Sequence, residues 1–112
     1  MDPILWRHAE AVDGTPDHAR ELTPRGIKQA GKIADFLRPH LPDDCRILAS
    51  PAIRAQQTVA ALTDHFTLAP TIAPGASAQA VLHAARWPDA GGTVLLVGHQ
   101  PALGEVAAQL LG

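Results

Sequence analysis

The chain has 112 residues, of which 46% are hydrophobic and 18% charged, and its formal net charge at pH 7 is −2. This length predicts one domain over residues 1–112, with a core large enough to be stable without disulfides. The single cysteine, Cys45, cannot form an internal disulfide. The weak acidity and the 4% aromatic content argue against a nucleic-acid partner. The sequence has no apolar run of membrane-spanning length and no signal peptide, so we expect a cytoplasmic protein without a membrane partner.

Three short apolar runs predict buried strands. They cover residues 3–6, 46–49 and 93–97, and each is rich in Ile, Leu and Val. Runs this short and this uniformly apolar are typical of strands that are covered on both faces in a parallel sheet.

The clearest predicted helix begins after Thr23, an N-cap residue that is followed by proline at the first helical position. It ends before Pro39, because the residue that precedes a proline avoids helical geometry. Its spacing predicts one apolar face made of Ile27, Ala30, Ala34 and Leu37.

The rest of the chain alternates loops and helices. A second helix, opening on a Ser-Pro pair, is predicted over residues 50–66, a loop over 70–77 and a short amphipathic helix over 78–86. A last helix follows residues 98–101. The order predicts an α/β fold, a three-layer sandwich in which helices flank a mostly parallel sheet with right-handed crossovers.

The ends of the three predicted strands carry polar side chains. The first strand is followed by Arg7 and His8, the second by Ser50 with Arg54 one helical turn beyond, and the third by His99. In open parallel sheets the functional crevice lies beyond the carboxyl ends of the strands. We therefore expect two arginines and two histidines to converge at one edge of the sheet.

This set of side chains suits phosphoryl transfer through a histidine. Guanidinium groups bind phosphate oxygens bidentately, and a neutral imidazole is a competent nucleophile near pH 7. The charge of Arg7 disfavours protonation of His8, and a protonated His99 would donate a hydrogen bond to a phosphoryl oxygen. Helix N-termini after Ser50 and His99 would add backbone donors.

Four stretches in chain order carry a family resemblance: RHAEA at 7–11, LTPRG at 22–26, SPAIRAQQT at 50–58 and GHQP at 98–101. Together they resemble the histidine phosphatase superfamily, which includes the phosphoglycerate mutases. The short chain and the R-H-x-x-A start are most similar to its small SixA-type branch, the phosphohistidine phosphatases. The resemblance implies a phosphoglycerate-mutase-like fold.

The resemblance also assigns roles to individual residues. It implies that His8 is the phosphorylated nucleophile and that Arg7, Arg54 and His99 form the rest of the phosphate pocket. Ser50 lies at the turn between strand and helix, where it would help to shape that pocket.

Two departures from the family pattern bear on the substrate. Ala9 stands where most members have glycine, and the loop at residues 71–79 lacks the carboxylate with which mutase-type members protonate the leaving oxygen. Glu10 and Asp13 are the nearby candidates for that acid. A weak acid favours a leaving group that protonates readily, such as a phosphoramidate nitrogen. We therefore expect a phosphohistidine on a signalling or phosphotransfer protein as the substrate.

Two other functions stay open: a phosphatase for a small phosphorylated metabolite, and a non-catalytic phosphate-binding or interaction module. The six histidines show no metal-ligand spacing, so no metal and no cofactor are expected. Residues 10–21 are predicted to be a solvated loop beside the pocket. SixA-type proteins usually continue with further strands, which are expected to be missing here; an edge strand without a partner favours a homodimer.

Overall fold

The computed structural model describes residues 2–87 and 91–112, in which four strands alternate with four helices. The strands are β1 (Asp2–Arg7), β2 (Arg46–Ala49), β3 (Thr67–Leu68) and β4 (Thr93–Gly98). The helices are α1 (Pro24–Leu37), α2 (Ile53–Ala60), α3 (Ala78–Ala85) and α4 (Ala102–Leu111). The strands pair in parallel in the order β1-β4-β2-β3. The predicted α/β sandwich with a parallel sheet is confirmed.

Strand β4 lies at the centre of the fold and is covered on both faces. Leu95 and Val97 pack with α1 and α2, whereas Val94 and Leu96 pack with α3 and α4. All four side chains are at most 1% exposed. Since successive side chains of a strand point to opposite faces, an unbroken apolar run is what a strand between two helical layers requires.

The register of the sheet brings three strand ends to the same level. Arg7 at the end of β1 pairs with Gly98 at the end of β4, and Ala49 at the end of β2 pairs with Val97. Since all three strands run in the same direction, the residues that follow them meet at one edge of the sheet.

Helix α1 begins where predicted, but its buried face is different. The hydroxyl of Thr23 accepts from the N–H of Gly26 at 2.9 Å, as an N-cap does. The buried residues of α1 are Gly26, Ala30, Ala34 and Leu37. Ile27 is 59% exposed, so its predicted place on the buried face is wrong. The helix turns Gly26 inward because its surface there contacts the backbone of Glu10, and Ile27 lies about 100° further round.

Replacing Gly26 by alanine should destabilise the protein by about 1–3 kcal/mol, because a Cβ at this position would overlap the carbonyl oxygen of Glu10. Gly31 of the same helix is the matched control, since a Cβ there meets nothing within 4 Å. Gly31→Ala should raise stability by up to about 1 kcal/mol through helix propensity. Urea unfolding of both variants measures the difference. Equal effects would contradict the predicted overlap.

Helix α2 is shorter than predicted at both ends. It begins at Ile53 with Ala52 at the N-cap, and Ser50 acts one step earlier, where its hydroxyl accepts from the N–H of Ala52 at 3.2 Å. It ends at Ala60, where the N–H of Ala61 turns to the carbonyl of Thr58. The predicted continuation to residue 66 is therefore wrong.

Strand β3 was not predicted. Its two residues pair with Leu48 and Ala49 of β2 at the edge of the sheet, and a segment this short carries too little hydrophobic pattern to be recognised. The predicted loop at 70–77 contains a 3₁₀ turn, Pro70–Ile72. Helices α3 and α4 lie where the sequence predicted them. Over the two described ranges, no helix has the length and apolar character needed to cross a membrane. A homodimer stays a prediction.

Candidate active site

A cavity of about 670 Å³ opens at the edge of the sheet where β1, β2 and β4 end. Four of the five predicted site residues line it: Arg7, His8, Arg54 and His99. The fifth, Ser50, is fully buried and lies behind His99, with its Oγ 2.7 Å from Nε2 of that ring. The rings of His8 and His99 lie with their centroids 5.1 Å apart. The structure thus brings the predicted set together, with Ser50 as a supporting rather than a lining residue.

Two hydrogen bonds determine which nitrogen of His8 carries the proton. Nδ1 lies 2.8 Å from the carbonyl oxygen of Ala9, which can only accept, so Nδ1 is the donor. Nε2 accepts from Nε of Arg54 at 3.3 Å. The lone pair of the imidazole is therefore on Nε2, the nitrogen that faces Arg54.

Arg54 is held by a residue of the loop between β1 and α1. Its two terminal nitrogens donate to the carbonyl oxygen of Asp17 at 2.8 Å and to the carboxylate of Asp17 at 3.1 Å. The other carboxylate oxygen of Asp17 accepts from Nε of Arg20 at 3.1 Å. The hydrogen bond from Arg54 lowers the pKa of Asp17 below its ordinary value, so this side chain stays a carboxylate. Arg54, only 4% exposed, is thereby fixed against His8.

His99 is neutral near pH 7 in this environment. Burial, followed by the positive charge of Arg54, lowers its pKa from 6.5 to about 4. Nε2 shares a hydrogen bond with Oγ of Ser50, and Nδ1 is a buried atom without a hydrogen-bond partner in the described ranges. The protonated His99 considered from the sequence therefore requires a negatively charged group beside it.

Burial is also the main reason for the lowered pKa of His8, and the charges of Arg54 and then Arg7 lower it further. The predicted effect of Arg7 thus has the right sign but is smaller than the effects of burial and of Arg54. The Arg7 side chain is exposed and lines the cavity.

Helix α2 supports the loop that carries His8. The hydroxyl of Thr58 accepts from the N–H of Ala9 at 3.0 Å and donates to the carbonyl of Arg54 at 2.7 Å. The side-chain carbonyl of Gln57 accepts from the N–H of Leu22 at 2.7 Å. The sequence motif that supplies Arg54 thus also anchors the backbone next to His8.

The sequence did not single out Asp17 and Arg20, which both line the cavity. They lie in the segment 10–21, which was predicted to be a solvated loop beside the pocket. The D-x-x-R spacing matches their ion pair at 3.1 Å, but such pairs are common on surfaces and carry little information alone.

The loop after β3 reaches the cavity without an acidic side chain. Pro74 and Gly75 line it, and residues 71–79 contain no Asp or Glu. Of the two carboxylates considered from the sequence, Glu10 lines the cavity, and its side chain accepts from the hydroxyl of Thr23 at 2.7 Å. Asp13 is not among the lining residues. A protonated carboxyl group from the predicted loop is therefore not available.

Acid should destabilise the fold through His99. The folded protein binds a proton at this ring only near pH 4, whereas the unfolded chain does so near 6.5. The stability that the neutral ring contributes is thus present above pH 6.5 and is lost as the pH falls towards 4. Urea unfolding at a series of pH values should show this loss, reduced in His99→Asn. The exposed His65 is the matched control: His65→Asn should follow the wild type, and equal slopes for all three proteins would contradict the assignment.

The fold and the site define a class of protein: a parallel α/β sandwich with a histidine pair and a buried arginine at the strand ends. The sequence model of the histidine phosphatase superfamily (branch 1) matches residues 4–77. A phosphohistidine phosphatase SixA homolog from Haemophilus influenzae is 35% identical, over 100% of this chain and 78% of that protein. An uncharacterized Mycobacterium tuberculosis protein, Rv1276c, is 36% identical over 93% of this chain and 68% of its own length.

Solved structures agree with these relatives. The protein histidine phosphatase SixA complexed with tungstate has a TM-score of 0.84 and 26% identity, with 98% of this chain and 76% of that chain covered. A structure from Nakamurella multipartitia has a TM-score of 0.79 and 34% identity; the match covers 92% of this chain but only 61% of that one. The chain belongs to the histidine phosphatase superfamily, in its SixA-type branch.

Proposed function

We propose that this protein is a metal-independent phosphatase that removes phosphate from phosphohistidine side chains of a signalling or phosphotransfer protein, through a phosphorylated His8. The observation that carries the proposal is the hydrogen bonding of His8. Nδ1 is tied to the Ala9 carbonyl, which leaves the lone pair of Nε2 directed into the cavity beside Arg54. An oriented, neutral imidazole next to a guanidinium is the arrangement that phosphoryl transfer to nitrogen requires.

In the first step, Nε2 of His8 attacks the phosphorus atom in line with the leaving nitrogen. The new N–P bond forms as the N–P bond of the substrate breaks, and the leaving imidazole takes up one proton. Arg54 and Arg7 bind the phosphoryl oxygens as the charge redistributes. The phosphoryl group replaces Nε2 of His8 as the partner of the Nε donor of Arg54.

In the second step, water attacks the phosphorus atom of phospho-His8. The N–P bond breaks, its electron pair returns to Nε2, and the water proton passes to phosphate or solvent. The ring of His99 lines the cavity, with its centroid 5.1 Å from that of the His8 ring. A bound dianion raises the pKa of His99, so the ring adds positive charge beside the phosphoryl group when it takes up a proton.

The preference for a nitrogen leaving group is supported by the state of the carboxyl groups around the cavity, because none of those described is placed to protonate an oxygen leaving group. An alkyl phosphate leaves as an alkoxide unless an acid protonates it, and such acids contribute about 10²–10⁴-fold to the rate. Asp17 is held ionised by Arg54, the loop at 71–79 offers no carboxyl group, and the carboxylate of Glu10 is engaged by the hydroxyl of Thr23. The nitrogen of phosphohistidine is basic enough to be protonated from solvent. The SixA relative that binds tungstate, a tetrahedral oxyanion, is consistent with such a pocket.

The test compares two substrates under the same conditions: a histidine protein phosphorylated with phosphoramidate, and p-nitrophenyl phosphate. We expect release of inorganic phosphate from the phosphohistidine protein that is at least about tenfold faster in kcat/KM, is insensitive to EDTA and is lost in His8→Ala. Activity on the aryl ester alone would favour a small phosphorylated metabolite as the substrate. No release from either by the folded protein would favour a non-catalytic binding module. A cytoplasmic location stays a prediction.

A further inference from the structure

Helix α1 carries a row of basic residues on its outer side. Arg25, Lys28 and Lys32 are spaced by three and four residues, and all are exposed. At this spacing their side chains share one face of the helix. That face lies opposite the residues that α1 buries against the sheet.

These three cations have no counter-ion within the ranges 2–87 and 91–112. The three ion pairs there are Arg20 with Asp17, Arg38 with Asp35, and Arg54 with Asp17. The acidic residue of α1, Asp35, is thus bound by Arg38 at 2.8 Å. The row therefore presents uncompensated positive charge on a chain whose net charge is −2.

Two large apolar side chains extend the row. Phe36 is 65% exposed and lies one turn beyond Lys32, and Ile33 is 43% exposed beside it. The apolar face of α1 is already buried in the core, so these two side chains are too few for insertion into a bilayer. An exposed aromatic and aliphatic pair bordered by charged residues instead fits the apolar centre and polar rim of a protein–protein contact.

The row is continuous with the cavity. Gln29 lines the cavity, and its side-chain carbonyl accepts a hydrogen bond from the N–H of Glu10, two residues after His8 in the same loop. On the helix surface Gln29 is the i+4 neighbour of Arg25 and lies three residues before Lys32. A partner that places a side chain in the cavity would therefore cover this part of α1.

We propose that Arg25, Lys28, Lys32, Ile33 and Phe36, together the α1 patch, bind an acidic face with an apolar centre on the phosphohistidine-bearing protein. This inference rests on the proposed function and specifies its substrate. The carboxylates of the partner pair with the three basic residues, and an apolar side chain of the partner covers Phe36. Complementary charge raises the rate of encounter and orients the phosphohistidine towards His8.

The experiment compares Lys32→Glu with Arg86→Glu. Arg86 is the matched control, because it is exposed and follows α3, which packs on the opposite face of the sheet from α1. The probes are a phosphorylated histidine-phosphotransfer domain with acidic residues around its histidine, the same domain with those residues neutralised to amides, and free phosphohistidine. On the acidic domain, kcat/KM should fall about three- to tenfold in Lys32→Glu and less than twofold in Arg86→Glu.

Hydrolysis of free phosphohistidine should be equal in all three proteins, and 300 mM salt should reduce the wild-type rate on the acidic domain more than that of Lys32→Glu. Phe36→Ser should lower kcat/KM on both domains and spare the free amino acid. If the wild type does not hydrolyse free phosphohistidine, the proposed function itself is refuted. If Lys32→Glu and the wild type act on the acidic domain at equal rates, the α1 patch is refuted while the proposed function stands. If, in addition, the wild type binds phosphatidylserine vesicles and Lys32→Glu does not, the patch binds a membrane instead.

Discussion

Replacing His8 by alanine should abolish the phosphorylated enzyme and lower kcat by at least about 10³-fold, because among the described residues no other side chain at the cavity offers a lone pair in the same position. Nε2 of His8 is the nitrogen that faces Arg54, whereas Nε2 of His99 is bound to Ser50. His99 thus cannot take over as the nucleophile without breaking a buried hydrogen bond. Rapid quench with ³²P-labelled phosphohistidine protein measures both the intermediate and its turnover.

The intermediate has a chemical signature that distinguishes it from bound phosphate. A phosphoramidate on His8 is labile in acid and stable in base, and peptide mapping should place it in the N-terminal segment. The exposed His83 provides the matched control, since His83→Ala should label and turn over as the wild type does. Full labelling of His8→Ala would show that phosphate is transferred elsewhere and would overturn the mechanism.

Replacing Arg54 by alanine should lower kcat/KM by about 10³-fold, comparable to the loss of an arginine that stabilises phosphoryl transfer elsewhere. The guanidinium contacts His8 and two acceptors of Asp17 at once, which requires donors in three directions. Arg54→Lys keeps the charge but not this geometry, so it should restore less than about a tenth of the lost activity. Affinity for tungstate should weaken in both variants.

The control for the Arg54 variants must separate chemistry from folding. Arg38→Lys is the matched change, because Arg38 also binds an aspartate but is exposed and is not among the residues that line the cavity. It should leave kcat/KM unchanged. Near-UV circular dichroism and thermal unfolding then establish that Arg54→Lys is folded. Near wild-type activity of folded Arg54→Lys would show that charge alone is sufficient and would remove the geometric argument.

The three longer strands of the sheet and the positions of the main site residues could be predicted because each depends on local pattern. An uninterrupted apolar run such as residues 93–97 is compatible with few environments, and β4 is buried on both faces accordingly. The direction of parallel strands then determines which residues meet. This is why the sequence alone predicts that His8, Arg54 and His99 lie close together, as they do around the cavity.

The errors arise where a distant contact decides the structure. Ile27 has the more apolar side chain, but Gly26 is buried because only a glycine fits against the backbone of Glu10. Likewise, Asp17 receives one hydrogen bond from Arg54 on its backbone carbonyl, an atom that every residue has. No residue pattern encodes such a contact, so the partner that holds Arg54 emerges only from the folded chain.

The pairing of β1 with β4 has a consequence for how the protein comes into being. The two strands are neighbours in the sheet, yet almost the whole chain lies between them. Pairing them closes a long loop, and the conformational entropy of that loop is lost before the contacts between the strands can stabilise the fold. Topologies of this kind fold slowly. A nascent chain that has been synthesised only as far as α3 already contains His8 and Arg54, but it lacks β4, the strand that pairs with both β1 and β2. We therefore expect phosphate binding to appear late in folding, at the same step as the completed sheet.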